Sequence, residues 1–247
     1  MPNVSVIVPT RHEAATVPLL TDRATAALRA RAIDGQVVFV DDSDDATPEV
    51  LGEISASRPE VAVLHRQPAQ RRGGLAGAVF AGFAASDAPV LAVMDGDLQH
   101  PPEVLGDLLD PVLTGVADIA VASRFVGGGS DAGLAGPLRR TVSRAAAGAA
   151  RSALPRVRGV HDPLSGFFAL RREVVDGVDL AADGFKILLE VLAKGHWQRV
   201  VEVPFTFEAR PAGASKASLA VGRQFVSQLV RLAATPAPGW GSPVPLR

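Results

Sequence analysis

Cysteine is absent from the 247 residues. Disulfides, thiolate nucleophiles and Cys-based zinc sites are therefore excluded. The five histidines are scattered without metal-ligand spacing, and His65 and His196 read as structural or exposed. No Ser-His-Asp order with a nucleophile elbow is present, which disfavours hydrolysis by covalent catalysis. A run of roughly 20 apolar residues, the length a membrane-crossing helix needs, is also missing. The nearest approach, residues 73–94, is broken by Ser86, Asp87 and Pro89. The first residues run directly into a strand-like segment, so no cleaved leader is expected. A net charge is lacking too, since 25 Lys and Arg stand against 26 Asp and Glu, a total of −1. That total hides a division. Residues 1–123 carry 8 basic and 17 acidic side chains, whereas 124–247 carry 17 basic and 9 acidic ones. Such asymmetry points to an anionic ligand or surface.

Apolar residues make up 47% of the chain, enough for one large globular domain with a tail. Short Val/Ile/Leu-rich strands at 4–8, 36–40, 61–64, 90–94 and 118–122 alternate with helical spacing at 14–31, 75–85 and 102–113. A further helix opens at Thr47-Pro48, with Thr47 expected as the N-cap and Pro48 at the first helical position. Continuous apolar strands alternating with helices predict an α/β fold with a mostly parallel sheet covered on both faces. Ligands in such folds bind beyond the carboxyl ends of the strands, where the polar clusters of this sequence lie. The second half is less regular. It holds a Gly-rich stretch at 127–136, an Arg-rich helix at 138–153, a helix at 184–195, a strand at 199–207 and a final amphipathic helix.

The most informative cluster is Asp95-Gly96-Asp97-Leu98-Gln99 after the fourth strand. Two carboxylates separated by glycine can both reach a hard divalent cation such as Mg²⁺ or Mn²⁺, and Gln99 offers a further oxygen. The alternative is an acidic strand-to-loop turn that only solvates the chain end. Asp41 and Asp42 end the second strand and suit a ribose hydroxyl or base N–H, while Asp44 and Asp45 suit the dipole of the next helix. Pro9, Arg11 and Glu13 form a comparable lip after the first strand. Arg66, Arg71 and Arg72 precede Gly73-Gly74-Leu75-Ala76-Gly77. That turn matches neither the P-loop nor the Rossmann spacing, and it reads either as a phosphate-accepting helix start or as close helix–sheet packing at Gly77. Nine arginines stand against two acidic residues in 124–172. Arg139 and Ser143 lie four apart on one helix face. Guanidinium forks match phosphate oxygens, but without interleaved aromatics or a reader motif nucleic acid is not the expected partner.

Seven stretches together are more specific than their parts: VSVIVPTRHEAATV, VVFVDDSDDATPEVL, VLAVMDGDLQHPPEVL, IAVASRFVGGG, DPLSGFFALRREVV, GFKILLEVLAKG and VVEVPFTFEARPAGASK. In this order they resemble inverting glycosyltransferases of family 2, and among these the polyprenol (dolichol) monophosphate mannosyltransferases. The residues themselves read 218–235 as an amphipathic helix that lies in the membrane interface or packs back on the core, and 236–247 as a flexible tail. The resemblance implies a GT-A (nucleotide-diphospho-sugar transferase) fold over 1–217. It implies that Pro9, Arg11, Glu13 and Asp41 hold the nucleoside and that Asp95, Asp97 and Gln99 coordinate Mg²⁺ or Mn²⁺. Arg124, Arg139 and Ser143 would receive a lipid phosphate, with Asp97 near the reacting centre. Arg210 and Lys216 would close a loop over the donor diphosphate. The implied reaction is metal-dependent transfer of mannose from GDP-mannose to a polyprenyl monophosphate, with inversion. A UDP-glucose or other donor, a different acceptor, and a non-catalytic nucleotide-sugar-binding module are the alternatives. Implied partners are the membrane surface and a separate anchoring subunit, with the chain peripheral at the cytoplasmic membrane face. The sequence departs from the family at Arg11, where Tyr or Phe is usual, at Ser43-Asp44 in place of a glycine, and at Ala217, where SKL becomes SKA.

Overall fold

The computed structural model describes residues 2–181, 186–209, 219–235 and 244–245. Its sheet contains strands β1 (Val4–Thr10), β2 (Gly35–Asp41), β3 (Val61–His65), β4 (Val90–Val93), β5 (Ile119–Ser123), β6 (Phe168–Arg171), β7 (Arg199–Pro204) and β8 (Val244–Pro245). Their order across the sheet is β3-β2-β1-β4-β6-β5-β7-β8. β6 is antiparallel to both its neighbours, β4 and β5, and the other described pairings are parallel. The expected mostly parallel sheet is thus present, with two strands that the apolar spacing did not reveal, β6 and the two-residue β8, the latter within the stretch expected as a flexible tail. At four residues, and following directly on a loop motif, β6 reads as the tail of that loop.

Seven helices among the described residues cover the sheet: α1 (Val17–Ala30), α2 (Thr47–Ser57), α3 (Gly74–Ala84), α4 (Leu105–Leu113), α5 (Pro137–Ala153), α6 (Ile187–Lys194) and α7 (Leu219–Ala234). Alternation along each strand sorts the side chains into two cores. Ile7, Val38, Val40, Leu91, Val93, Ile119 and Val121 face α3, α5, α6 and α7. Val6, Val8, Val37, Phe39, Ala92 and Ala120 face α1, α2 and α4. α1 buries Leu20, Ala24 and Leu28 on this second side, a stripe at helical spacing. Each fully buried Leu contributes roughly 1.5–3 kcal/mol by leaving water. At Gly82 of α3 an added Cβ would lie 2.4 Å from Ile7 Cγ2, and at Gly77 2.1 Å from the Arg72 carbonyl oxygen. Close packing is therefore what these glycines allow, against β1 and β2 at Gly82 and against the turn before α3 at Gly77.

The start of α2 differs from expectation. The N-cap place belongs to Ala46, which has no capping side chain, and the Thr47 N–H is taken by Asp45 Oδ1 at 3.0 Å. The Thr47 hydroxyl instead donates to Asp45 Oδ1 at 2.6 Å and accepts the Glu13 N–H at 3.1 Å. It thereby ties the lip after β1 to the loop after β2.

Candidate active site

The carboxyl ends of β1, β2 and β4 meet at a cleft of about 360 Å³, lined by Pro9, Arg11, Glu13, Asp42, Asp95 and Asp97 with the first turns of α3. Asp41 lies behind this wall and is fully buried. It accepts hydrogen bonds from Thr10 Oγ1 (3.2 Å) and Ser43 Oγ (2.5 Å), and lies 2.7 Å from His65 Nδ1. The Ser43 hydroxyl also accepts the His12 N–H at 2.8 Å. Asp41 therefore braces the lip. Neighbouring strand residues point to opposite sides, so it is Asp42 that lines the cleft. Asp42 in turn receives the Arg66 fork, Nε at 2.8 Å and Nη2 at 2.5 Å. Arg66 also donates to the carbonyls of Gln70 and Gly74 at the start of α3. Arg66 thus serves as part of the wall, and Arg71 pairs with Asp44 at 2.6 Å, while Arg72 is exposed.

The loop after β4 is held tightly. Thr16 Oγ1 donates to the Gly96 carbonyl at 3.0 Å, and an added Cβ at Gly96 would sit 3.0 Å from Thr10 Cγ2. Leu98 adopts φ +62°, a left-handed conformation costly for a branched side chain. Asp97 is buried and accepts the Gln99 N–H at 3.0 Å, while the Asp95 side chain is 38% exposed to the cleft. The Gln99 amide Nε2 donates to the Glu208 carbonyl at 3.0 Å, and the Glu208 N–H to the Gln99 carbonyl at 2.9 Å. This joins the acidic loop to the chain just past β7.

His100 anchors the loop from below. Its Nδ1 accepts the Asp95 N–H at 3.1 Å, which places its proton on Nε2. The ring stacks on Phe167 at 5.3 Å and meets Phe205 and Phe207 edge-on. Burial in this aromatic box pushes its pKa down to about 4.

On the basic side, Arg124 follows β5. It forms a two-pronged pair with the fully buried Asp162, at 2.7 and 2.8 Å, and its N–H donates to the same carboxylate at 3.1 Å. The guanidinium lies 5.1 Å from the Phe125 ring centre and 5.5 Å from that of Phe207. Arg124 also lines a second cleft of about 380 Å³ with Phe125, Arg144, Arg151 and His161. Arg144 pairs with Asp131 at 3.0 Å, and His161 with Glu202 at 2.7 Å. Arg139 and Ser143 are half-buried one turn apart on α5, outside the lining of this cleft.

The stretch 162–167 joins the two sides. Asp162 holds Arg124, and Phe167 stacks on His100. An added Cβ at Gly166 would lie 3.0 Å from Asp95 Oδ2 and 3.1 Å from His100 Cε1, so glycine lets the loop press against the acidic site. Lys186, at the entry to α6, is a site residue that sequence reasoning did not single out. Burial, then the charge of Arg124, lowers its pKa to about 8 against the opposing pull of Asp95 and Asp162. Its ammonium thus lies within electrostatic reach of both sides. Inside GFKILLE it reads as an ordinary surface lysine of an amphipathic helix, and no spacing signal marks it.

The donor set suits a hard cation. Asp95 and Asp97 present carboxylate oxygens to one cleft, whereas Gln99 is not among its lining residues and its amide is tied to the Glu208 carbonyl. Among the described residues no group of three or more His, Asp or Glu side chains is placed to hold an ion. A two-carboxylate set leaves coordination positions for substrate phosphates, as Mg²⁺ and Mn²⁺ sites do. Arg210 and Lys216 lie outside the described residues.

A mostly parallel sheet with one reversed strand, and a carboxylate cleft at its carboxyl edge, are the architecture of the GT-A fold. The profile of Glycosyl transferase family 2 matches residues 5–178, and the chain belongs to that family. It is 46% identical over 215 residues to the dolichol-phosphate mannosyltransferase of Pyrococcus furiosus, covering 86% of this chain and 58% of that protein. It is 38% identical over 223 residues to the polyprenol monophosphomannose synthase of Mycolicibacterium smegmatis, covering 86% and 80%. Among solved structures, glucosyl-3-phosphoglycerate synthase from Mycobacterium tuberculosis, in complex with Mn²⁺, UDP and phosphoglyceric acid, superposes with a TM-score of 0.65. The identity is 20%, with 96% and 81% of the two chains covered.

Proposed function

We propose that this chain transfers mannose from GDP-mannose to a polyprenyl monophosphate, with inversion at the anomeric carbon. The observation that carries the reading is the bridging stretch 162–167, which sets a carboxylate cleft beside an anchored arginine at one sheet edge. The names of the Pyrococcus and Mycolicibacterium relatives support the sugar and the lipid class.

In this reading Pro9, Arg11, Glu13 and Asp42 border the nucleoside, with Asp41 bracing them. Mg²⁺ or Mn²⁺ held by Asp95 and Asp97 would supply positive charge to the leaving diphosphate. Lys186 adds a fixed cation there, and Arg210 and Lys216 are proposed to close over the same group. Arg124, with Arg139 and Ser143, orients the acceptor phosphate. A phosphate monoester is already anionic near neutral pH, so its oxygen attacks C1 without a strong general base. As the new C1–O bond forms, the C1–O bond to the diphosphate breaks and its electron pair leaves with GDP. Charge stabilisation at the departing group is the main demand on the protein.

No helix among the described residues is long and apolar enough to cross a membrane. α5 and α7 pack beside one another, and each exposes apolar side chains: Leu138 and Val142 on α5, Val226 and Val230 on α7. With arginines at 139, 140 and 223, these helices suit contact with an anionic lipid surface. A lipid acceptor and a nucleotide-sugar donor together support a peripheral position at the cytoplasmic membrane face, alone or with an anchoring subunit.

The test is a panel of radiolabelled GDP- and UDP-sugars with polyprenyl phosphate in detergent, with and without Mn²⁺. Metal-dependent transfer from GDP-mannose is expected. Transfer from a UDP-sugar would replace the donor, and GDP binding without turnover on any lipid phosphate would reduce the chain to a binding module.

A further inference from the structure

The second cleft, about 380 Å³, matches the carboxylate cleft in size, and of its lining only Arg124 enters the reaction above. Arg124, Arg144, Arg151 and His161 bring four basic side chains to it, and no acidic residue lines it. Asp162, Asp131 and Glu202 stand behind three of the four, with side chains no more than 10% exposed. The three arginines are all held by the same edge. Nε and Nη2 of Arg124 donate to Asp162, and those of Arg144 donate to Asp131 at 3.0 and 3.2 Å. Arg151 Nε donates to the Arg158 carbonyl at 3.1 Å, and Arg151 has no carboxylate partner among the described residues. In each guanidinium Nη1 has no hydrogen-bond partner among the described residues. The Phe125 ring lies 5.1 Å from the Arg124 guanidinium and 5.8 Å from that of Arg144, which gathers the two charges at one wall.

Bringing like charges together is unfavourable unless an anion joins them. The buried carboxylates offset part of that repulsion, but they do not line the cleft. They orient the guanidiniums and leave the other edge of each for a ligand, and such edges match phosphoryl oxygens. Space for a ligand is also kept. Gly148 lines the cleft from within α5, and an added Cβ there would meet no atom within 4 Å. Glycine in a helix interior costs stability relative to alanine, and here no packed neighbour requires it. Arg144, Ala147, Gly148 and Arg151 recur at helical spacing, so one face of α5 forms this wall. Arg139 and Ser143 lie about a third of a turn away around the helix.

We infer that this cleft binds a second phosphoryl group, distinct from the one that reacts, with Arg144 and Arg151 as its ligands. Arg124 and His161 complete the basic wall. Two sources share this chemistry, the headgroup of a membrane phospholipid and a free phosphate. Phe125, Val126 and Ala147 give whatever the phosphoryl group carries an apolar surface to rest on. The inference does not depend on which sugar nucleotide the protein uses.

Calorimetric titration of the whole chain with inorganic phosphate, and with dihexanoylphosphatidylglycerol below its micelle concentration, tests it. Ionic strength is fixed, and EDTA is present so that no cation bridges phosphate to Asp95 and Asp97. Gly148→Leu fills the cleft without changing any charge, and is expected to weaken binding about tenfold or more because the ligand would have to displace the new side chain. Its urea unfolding midpoint should equal or exceed that of the parent, so that the loss is one of space and not of fold. Arg151→Gln should also weaken binding about tenfold, as expected for one charge-assisted contact. Arg140→Gln makes the same charge change on the same helix outside the lining, and should stay within about twofold. Tighter binding of the lipid makes the ligand a headgroup, and equal binding of the two probes makes it a free phosphate; either result supports the site. Equal weakening by Arg140→Gln and Arg151→Gln, no effect of Gly148→Leu, or binding of neither probe would overturn the inference.

Discussion

The two ends of the catalytic edge are built differently, although both concentrate charge. The acidic side stands on strand ends. Its carboxylates are held by a short-range network in which Thr10, Ser43, His65 and Arg66 each contact Asp41 or Asp42. The basic side stands largely on α5, of whose 17 residues only Ala147 and Ala150 are buried. Arg124, just after β5, is locked by Asp162 and two aromatic rings, and Arg144 pairs with Asp131; Arg139 and Ser143 are half-buried on α5 beside exposed Leu138 and Val142. A preformed cleft suits a compact nucleotide whose phosphates must meet fixed charges. An open face suits a phosphate carried on a long apolar chain, which needs room to approach.

The comparison can be broken from either side. Asp95→Asn leaves the cleft's shape intact and removes a metal-binding charge, so turnover should fall at least about a hundredfold. A smaller loss would mean that the acidic side does not carry the cation. Asp162→Asn should lower stability by about 3 kcal/mol, because it leaves the Arg124 guanidinium buried without its counter-charge. Urea unfolding checks this, and an unchanged midpoint would show that Arg124 is not locked.

His100 sharpens the same contrast through pH. Its folded pKa of about 4 lies below the unfolded value near 6.5, so the unfolded chain takes up a proton first as pH falls. Its contribution is complete above pH 6.5 and is lost as pH drops toward 4, at most about 3 kcal/mol over that window. His100→Gln should flatten the pH dependence of unfolding in this range, and an unaltered slope would contradict a buried neutral ring. The smallest effect is expected at Ser143. Ser143→Ala should raise the acceptor KM a few-fold, about 1 kcal/mol for one hydrogen bond, with nucleotide affinity unchanged in a calorimetric titration.

Much of this division is legible in the residues. The apolar runs at β1 to β5 stand out because buried parallel strands carry Val and Ile on both faces, and the DGDLQ loop follows one of them. What could not be read depended on neighbours. Asp41 and Asp42 are chemically equal in sequence, and only the packing of β1 and β3 against β2 decides which one lines the cleft. β6 is short and reversed, and its apolar residues merge with a loop motif whose purpose is visible only when Asp95, His100 and Arg124 come together around it. Lys186 gives no sign at all. The charges that act on it, Arg124, Asp95 and Asp162, come from distant stretches of the chain. Thr47 has the right chemistry for a helix cap, but Asp45 and Glu13 engage its hydroxyl first.

The central claim is that donor and acceptor phosphates belong to opposite sides of this edge, and crossed titrations test it most directly. Asp97→Ala and Arg139→Ala would each be titrated with GDP in the presence of Mn²⁺, and each assayed for its KM toward polyprenyl phosphate with the donor saturating. The account predicts a crossed pattern: Asp97→Ala loses metal-dependent GDP binding, whereas Arg139→Ala binds GDP normally and needs roughly tenfold more acceptor, as expected for one charge-assisted contact. Equal loss of GDP affinity and acceptor use in Arg139→Ala would contradict it.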